Sequence, residues 1–367
     1  MIGADILSVE SVGQLSQEEK QLFIPYLQKQ GLSTSIFDCF DAMINQMSAL
    51  NLYYLKISTR GQVVGVCFFS EFTQHHLSFM LGRKYRNNCL INKVLSYFPI
   101  HFAYAGTDPF TASLHDPLIV IDKQWTDKSL MAIYEFYKVR AAPFCIIESR
   151  QCHSKTSQDI ISIARGERAF FDADGYVSFA DYLTEHKKLA RRERQYLKQY
   201  SPVMIKTTLT DADILQMRAC FESSAVNALE IMPMQELMNQ RFAALIAILE
   251  YAKHFLLILE GKIVAFMSVI ESGNQLGGVM GGVSAEMHKK YKKHAIYERV
   301  ISAIIKYSIE NNIQFCAFSY KNNVTKCRYL NHFSKTYFHI QPLNMYRKLQ
   351  LQLLKYFWSL RDMDKFD

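Results

Sequence analysis

The sequence predicts an α/β protein in which mixed sheets of the α+β type form two similar halves. Runs rich in β-branched and aromatic residues alternate with amphipathic stretches of helical period, as expected for packed layers of strands and helices. The chain has 367 residues, which is more than one compact core normally holds. One pattern also recurs after an apolar run, as GQVVG at 61–65 and as GKIVA at 261–265. This repeat favours a duplicated fold.

The N-terminal half is expected to begin with two amphipathic helices and to continue with a hairpin. The hairpin is predicted because two β-rich runs flank the turn that ends in Gly61. We expect a helix to start at Thr126, which we assign as its N-cap. The pattern leaves 159–171 undecided between helix and strand. The remaining expected elements are helices at 16–30 and 34–49 and strands at 52–58, 62–72, 99–105, 117–122 and 144–149.

The C-terminal half shows clearer helix starts. Ser178 with Asp181 fits a capping box for a helix that runs to about Tyr200, and Thr210 with Asp213 fits another cap. A second hairpin is expected around Gly261. The other predicted elements are strands at 203–209, 254–260, 262–272, 275–283, 313–319 and 335–341, and helices at 210–223, 234–252, 288–310 and 344–360.

The best division between the halves lies near 172–177, where the composition changes. We therefore expect domains at 1–172 and 173–367. In a duplicated fold, Gly61 and Gly261 should occupy equivalent hairpin turns. The strand expected at 313–319 should lie parallel to the strand that precedes the helix 288–310, joined to it by a right-handed crossover.

Composition and charge limit the class of protein and its partners. The chain is 49% hydrophobic and 21% charged, which is typical of a globular and not a disordered protein. Its net charge of +8 favours anionic partners: a coenzyme pyrophosphate, the acidic face of a carrier protein, or RNA. A basic surface that merely keeps the protein in solution is the alternative.

The cysteines and the histidines indicate where the protein resides and whether it binds a metal. None of the eight cysteines forms a Cys-x-x-Cys pair, and residues such as Cys67 lie in apolar runs, so we expect buried free thiols. The histidines lack zinc-ligand spacing, and we expect no metal. Neither a signal peptide nor a run of about 18 apolar residues is present, so we expect a cytoplasmic protein.

Three segments carry a family resemblance. They are YLTEHKKLARRER at 182–194, GGVS at 281–284 before the helix that contains Tyr297, and FSYKNNVTK at 318–326. Together they resemble the tandem GNAT-type acyltransferases related to the Fem (FemAB-like) aminoacyltransferases. The resemblance implies two tandem GNAT-like domains, with chemistry in the C-terminal one. It also implies transfer of an acyl or aminoacyl group from an activated donor to an amine on a small molecule or peptide.

The donor is left open by a departure from the family pattern. Simple GNAT enzymes hold the coenzyme pyrophosphate on a Gln/Arg-x-x-Gly-x-Gly/Ala loop before the central helix, and here that stretch is KYKKHA, with Lys293 in place of a glycine. We expect no permanently bound cofactor. The co-substrate is either an acyl thioester (acyl-CoA or acyl-carrier protein) or an aminoacyl-tRNA, and a non-catalytic binding module is the third alternative. The predicted donor-binding residues are Gly281, Gly282, Lys290, Lys292, Lys293 and His294; a solvated basic loop is the plainer interpretation.

Acyl transfer to an amine needs a proton acceptor, a stabilised carbonyl oxygen and a proton donor for the leaving group. The sequence lacks a Gly-x-Ser-x-Gly elbow and a nucleophilic cysteine motif, which suits direct attack by the amine. Carboxylate candidates are Glu271, Glu286 and Glu298, and phenol candidates are Tyr320 and Tyr329.

From these candidates we predict that Glu271 accepts the amine proton and Tyr320 protonates the leaving group. The resemblance implies that the sheet splays apart between two central parallel strands, and we therefore expect the site in a gap between the strand that ends near Gly282 and the strand that ends near Ser319. The predicted substrate-binding residues are Ser319, Asn322, Asn323 and Lys326. The N-terminal half offers Asp108, His115 and Asp116 as an alternative, although Asp-Pro pairs also favour turns.

Overall fold

The computed structural model describes residues 6–46, 51–74, 100–105, 114–140, 144–150, 160–197, 201–226, 242–291, 296–320 and 328–342. Its strands form one continuous sheet of thirteen strands in the order β1-β2-β3-β4-β6-β13-β7-β12-β11-β10-β9-β8, with β5 paired to β3 off this path. The strands are β1 (Leu7–Val12), β2 (Asn51–Thr59), β3 (Gln62–Gln74), β4 (Ile100–Ala105), β5 (Leu118–Val120), β6 (Phe144–Ser149), β7 (Ile161–Asp172), β8 (Met204–Lys206), β9 (Ala252–Leu259), β10 (Lys262–Ser272), β11 (Gln275–Val283), β12 (Phe315–Tyr320) and β13 (His332–Pro342).

Helices cover both faces of the sheet. They are α1 (Gln17–Leu22), α2 (Ile24–Lys29), α3 (Ser35–Gln46), α4 (Thr126–Val139), α5 (Phe179–Glu185), α6 (Lys187–Leu197), α7 (Asp211–Val226), α8 (Ala285–Lys290) and α9 (Ile296–Glu310). In the part of the chain that is described, no helix is both long and apolar enough to cross a membrane. The same residues contain no group of three His, Cys, Asp or Glu side chains that could hold a metal.

The two hairpins are equivalent in detail. Gly61 and Gly261 have φ of 79° and 74°, and each follows a residue that is also left-handed. Two residues into the next strand, each hairpin has one unpaired residue: the register of β2 and β3 shifts around Val64, and that of β9 and β10 around Val264. Turn and bulge therefore recur at the same offset, which confirms the predicted equivalence of the two glycines.

The two halves exchange their last strands. Read inward from either edge, β1-β2-β3-β4-β6 mirrors β8-β9-β10-β11-β12, and each series ends in a parallel pair. In the middle, β13 pairs with β6, and β7 pairs with β12, so each half is completed by a strand from the other part of the chain. The predicted boundary after Asp172 falls at the end of β7, a strand whose partners both lie beyond residue 172; the division into two domains stays a prediction.

Three apolar clusters reflect this arrangement. The first spans both halves on one face of the sheet and includes Phe40 of α3 and Met217 of α7. On the opposite face, the C-terminal half packs α5, α6 and α9 over residues such as Phe255, and the N-terminal half packs α4 over residues such as Leu55. One core common to both halves therefore binds them together, while each half keeps a core of its own.

Several sequence expectations need correction. The helix expected from Ser178 to Tyr200 is interrupted at His186, which ends α5, and Thr126 is the first residue of α4 instead of its N-cap. The undecided stretch 159–171 contains β7, and the helix expected at 16–30 divides at Phe23, next to Pro25. The helix expected at 234–252 is described from residue 242, where it is helical to 247, and β9 already begins at Ala252. Residues 234–241, and all of the helix expected at 344–360, lie outside the described residues.

Candidate functional site

The parallel pair β11 and β12 separates part-way along its length. Backbone pairing runs from Gln275 with Phe315 to Gly277 with Ala317 and then stops, although both strands continue. This confirms the predicted parallel crossover. At the point of separation, a Cβ on Gly278 would lie 3.1 Å from the carbonyl oxygen of Ala317, so the missing side chain lets the two backbones meet before they diverge. A gap therefore opens toward the carboxyl ends of these strands.

The carboxyl ends of β12 and β6 point toward each other across the middle of the sheet. Tyr320, the last residue of β12, pairs with Arg168 of β7, and Arg168 also pairs with Ser334 of β13. Ser149, the last residue of β6, pairs with Tyr337, three residues further along β13. The ends of both parallel pairs thus converge on one short stretch, 334–337. We call this stretch and the polar side chains around it the central region.

A fully buried ion pair lies in the central region. Arg168 Nη2 donates to Glu148 Oε1 at 2.6 Å, and both side chains are 0% exposed. The hydroxyl of Tyr104 donates to the other carboxylate oxygen at 2.9 Å. Removing two charges from water is costly, so paired and hydrogen-bonded charges at such a place commonly mark a site with a specific electrostatic role.

A second ion pair, between the side chains of Arg150 and Asp116, lies beside the first. Arg150 donates to the carbonyl oxygen of Leu114 at 2.8 Å, and its backbone N–H donates to the carboxylate of Asp116. Its guanidinium also stacks on the ring of Phe170. His115, the neighbour of Asp116, is 6% exposed, and burial lowers the pKa of its imidazole to about 4.

The C-terminal half holds a third polar group at the start of α9. The carboxylate of Glu298, in the first turn, accepts hydrogen bonds from Arg192 of α6 and, at 2.6 Å, from the hydroxyl of Tyr329. Burial, and then the adjacent carboxylate, raise the pKa of Tyr329 to about 12, so its phenol stays protonated. Glu298 lies in the first turn of α9, the helix that follows the carboxyl end of β11 along the chain.

Comparison with known proteins supports the fold. The sequence has no match to a known family model and no significant match to a curated protein. Among solved structures, FemX is similar with a TM-score of 0.55 and 10% identity, over 94% of this chain and 100% of FemX. A tandem GNAT protein from the clavulanic acid biosynthesis pathway is similar with a TM-score of 0.50 and 13% identity, over 92% of this chain and 99% of that one.

The chain has a tandem GNAT fold. The repeated hairpins, the two parallel pairs and the end-to-end coverage of two-domain proteins agree on this point. At such low identities the similarity concerns architecture.

The register of β10 against β11 contradicts the predicted place of Glu271. This residue pairs with Leu276 near the beginning of β11, whereas Gly282 lies near the end of that strand. Six residues of strand separate these positions by roughly 20 Å, so Glu271 lies at the wrong end of the sheet to act in the gap. Its carboxylate instead accepts from Lys253 at 2.8 Å and from Tyr307 at 3.2 Å.

The expected role of Gly282 also needs correction. A Cβ at this position would lie 2.6 Å from the backbone nitrogen of Phe221, so the missing side chain accommodates α7 and not a ligand. Ser224 of α7 also binds both the N–H and the carbonyl of Val283 through its hydroxyl. At Gly281, a Cβ would meet the carbonyl oxygen of Phe266 at 3.1 Å. Close packing and hydrogen bonds thus hold the end of β11 against α7.

The basic loop is described at its beginning. Lys290 ends α8 and forms an exposed ion pair with Glu260 in the β9–β10 turn, at 2.7 Å, and this pairing raises the pKa of Lys290. Ser319 and Tyr320 are the last residues of β12, so they lie toward the same edge of the sheet as the carboxyl end of the parallel strand β11. The other predicted binding residues, Lys292, Lys293, His294, Asn322, Asn323 and Lys326, and the alternative residue Asp108, lie outside the described residues.

Sequence reasoning missed the ion pair of Glu148 and Arg168. One signal was available, because Glu148 directly follows the apolar run FCII and Arg168 directly precedes AFF, so each charged residue adjoins a run typical of a buried strand. Their partnership was hidden, since pairing depends on β13, which comes from the far end of the chain and lies between β6 and β7.

Proposed function

We propose that the chain is a transferase that moves an acyl or aminoacyl group from an activated donor to an amine. The observation that carries the proposal is the separation of β11 and β12 after Gly277 and Ala317, within a tandem GNAT fold. A gap between parallel strands exposes backbone N–H and C=O groups that can hold a donor's carbonyl in an extended pose. Direct attack by the amine then requires no covalent enzyme intermediate.

Glu298 takes the place of Glu271 as the proposed proton acceptor. Its carboxylate lies at the start of α9 and is held by Arg192 and Tyr329, which fix its orientation. When the amine nitrogen bonds to the acyl carbon, the nitrogen loses a proton, and Glu298 receives it directly or through the Tyr329 hydroxyl. Tyr320, at the end of β12, remains the proposed proton donor to the leaving group.

Variants of these residues test the assignment. We expect Glu298→Gln to lower kcat by about 10²–10⁴, the usual contribution of a general base. Tyr329→Phe should lower kcat less and move the pH profile. Glu271→Gln should leave turnover unchanged, because its carboxylate faces Lys253. If Glu298→Gln retained full activity while Glu271→Gln lost it, the assignment of Glu298 would fail.

The donor is proposed to be a thioester, acyl-CoA or acyl-carrier protein, held by its phosphates at the basic loop. The similar tandem GNAT protein of the clavulanic acid biosynthesis pathway is described in its form without acetyl-CoA, which associates that thioester with that protein. We propose that Lys290, Lys292, Lys293 and His294 bind the phosphates beside the end of β11, and that Ser319, Asn322, Asn323 and Lys326 contact the acceptor. Replacing the three lysines by Ala should weaken acetyl-CoA binding, and Lys306→Ala, an exposed lysine on α9, is the matched control.

An aminoacyl-tRNA is the second candidate donor, and the charge on α6 favours it. Lys187, Lys188 and Arg191 are exposed on this helix, and no ion pair to them is found among the described residues. Three exposed cations on one helix suit a phosphate backbone. FemX, whose fold is similar, belongs by name to the Fem proteins that the sequence resembles.

The two donors are distinguished by direct binding to the full chain. Binding of acetyl-CoA is measured by calorimetry, and binding of deacylated bulk tRNA by filter binding, each at several salt concentrations. Release of the coenzyme thiol from acetyl-CoA is followed separately in the presence of a panel of amines. Saturable acetyl-CoA binding with thiol release supports the thioester donor. The aminoacyl-tRNA donor is supported if tRNA binding depends on salt and is weakened in the double variant Lys187→Ala with Arg191→Ala. Binding of neither would overturn the proposed transferase in favour of a non-catalytic module.

A further inference from the structure

An apolar groove of about 700 Å³ lies on the outer face of the N-terminal half, between the edge strand β1 and α4. Its apolar lining consists of Leu7 and Val9 from the strand and Met131, Ala132, Phe136 and Val139 from the helix, and the charged residues Asp127, Lys128 and Glu135 also line it. Val139 is 86% exposed at its end. The strand β1 is an edge of the sheet, and proteins commonly cover such edges with a helix or a loop.

The C-terminal half has the same groove in the equivalent place. It lies between β8 and α9, and its helical residues Arg299, Ser302, Ala303, Lys306, Tyr307 and Glu310 have the same spacing as Lys128, Met131, Ala132, Glu135, Phe136 and Val139 in the first groove. On the strand side, Val203 and Ile205 line this groove, as Leu7 and Val9 line the first. The duplication therefore extends to these two grooves.

The second groove is covered, and the covering segment identifies the occupant expected for the first. Helices α5 and α6 lie over the second groove and line it with Phe179, Leu183, Ala190 and Leu197. They directly follow β7, which completes the C-terminal half. The equivalent strand for the N-terminal half is β13, and the segment that follows β13 is 343–367. We propose that residues 344–360 dock as a helix in the groove between β1 and α4.

The sequences of the two segments support this equivalence. Lys187-Lys188-Leu189 of α6 is matched by Arg347-Lys348-Leu349, and at the same spacing Tyr196-Leu197 is matched by Tyr356-Phe357. In the same alignment the α6 residues that line the covered groove, Ala190, Glu193, Arg194 and Leu197, become Gln350, Leu353, Leu354 and Phe357.

The two pairings are complementary in polarity. Three positions of the covered groove, Ser302, Tyr307 and Glu310, are replaced in the open groove by the more apolar Met131, Phe136 and Val139. Two further positions are charged in both grooves: Arg299 and Lys306 in the covered one, Lys128 and Glu135 in the open one. The C-terminal segment differs from α6 in the same direction, because it has Leu353 and Leu354 where α6 has Glu193 and Arg194, so the segment matches its own groove better than it would match the other.

A single tryptophan provides the test. The chain has two, Trp125 and Trp358, and Trp125→Phe leaves Trp358 within the proposed helix, one turn after Leu354. In the full chain carrying Trp125→Phe, we expect emission at short wavelength and slow quenching by acrylamide, because Trp358 is shielded by the groove. Adding Met131→Arg, or Val139→Glu at a position too exposed to affect folding, should shift the emission to longer wavelength and increase quenching.

The control is Gln124→Arg, which adds a charge to the exposed turn before α4 but outside the groove. Circular dichroism establishes that every variant is folded. If Trp358 is already exposed in the parent, or keeps its emission in both groove variants, the proposal is overturned. Sedimentation decides between occupants: a dimer of the full chain that dissociates with Val139→Glu, with unchanged Trp358 emission, would assign the groove to a second copy and also overturn it. None of these readouts depends on catalysis, so they are independent of the proposed transferase.

Discussion

At the scale of single residues, His115 makes stability depend on pH. Burial lowers the pKa of its imidazole to about 4, and Arg150 and Arg168 act in the same direction, while Asp116 opposes them. The unfolded chain takes up a proton near pH 6.5, so between these values the unfolded state binds more protons than the folded state. The stabilisation by neutral His115 is therefore present above about pH 6.5 and is lost as the pH falls toward 4, by about 3 kcal/mol in total.

Urea unfolding at pH 7.5 and at pH 4.5 measures this effect. We expect the wild type to lose more free energy of unfolding between the two pH values than His115→Gln does, because glutamine has no proton to gain. His186 and His254 also have lowered pKa values, and they contribute equally to both proteins. Parallel losses in the two proteins would show that His115 is not the residue responsible.

Gly282 provides a second prediction at this scale. Because a Cβ would lie 2.6 Å from the backbone of α7, Gly282→Ala should force the helix away and lower the free energy of unfolding by roughly 1–3 kcal/mol, as overpacking does. At Gly13, by contrast, nothing lies within 4 Å of the added atom, so Gly13→Ala is the control. Equal thermal midpoints for both variants would contradict the close packing of α7 on β11.

At the scale of elements, the duplicated hairpins should respond alike to the same change. Gly61 and Gly261 are both left-handed, and a Cβ at either would meet no atom within 4 Å. Alanine should therefore destabilise through backbone conformation alone, by about 1 kcal/mol or more at each position. Chemical unfolding of Gly61→Ala and Gly261→Ala measures the two costs, and a cost at one turn without the other would show that the hairpins are not equivalent in energy.

Hairpins and crossovers could be predicted because each is specified by residues close together in the sequence. A turn glycine between two apolar runs specifies a hairpin within about 20 residues, and a helix between two strands specifies a parallel crossover. The helix break at His186 was not visible, because the residues around it, from Phe179 to Leu197, keep good helical propensity on both sides. Tertiary contacts accompany the break: Tyr182 in the middle of α5 donates to the carbonyl of Tyr329, and Arg192 of α6 donates to Glu298.

At the scale of the whole molecule, strand exchange makes each half depend on the other. Without β13, β6 would lose its neighbour in the centre of the sheet, and without β7, β12 would lose its own. The buried pair of Glu148 and Arg168 adds to this dependence, since loss of one partner leaves an uncompensated buried charge, at a cost of about 3–5 kcal/mol.

We therefore expect the full chain to unfold in one transition. Hydrogen exchange of amides in β3 and in β10, followed through a urea series, should give the same midpoint in both halves. Residues 1–172 and 173–367 expressed separately should not reach native protection. Two well-separated midpoints, or a stable isolated half, would contradict the interdependence of the halves.

For the candidate site, the sequence predicted candidate residues but not which end of the sheet each of them occupies. The sequence places Glu298 and Tyr329 among the candidate bases and acids, and it predicts Glu271, at the end of an apolar strand, as the proton acceptor. The register of β10 against β11 places it at the opposite end of β11 from Gly282. Which end of a hairpin faces a site depends on the direction of strands that come later in the chain.

The sequence by itself determined the mixed α/β class, the repeat of the hairpins and the parallel pair around α9, because turn chemistry and hydrophobic period act over short distances along the chain. The tertiary structure alone decided that β7 and β13 exchange places, that Glu148 meets Arg168, and that Glu271 lies near the beginning of β11 while Glu298 meets Tyr329. These outcomes depend on the order and register of strands far apart in sequence, and that order is set by the burial and hydrogen bonding of the whole sheet, which no local pattern encodes.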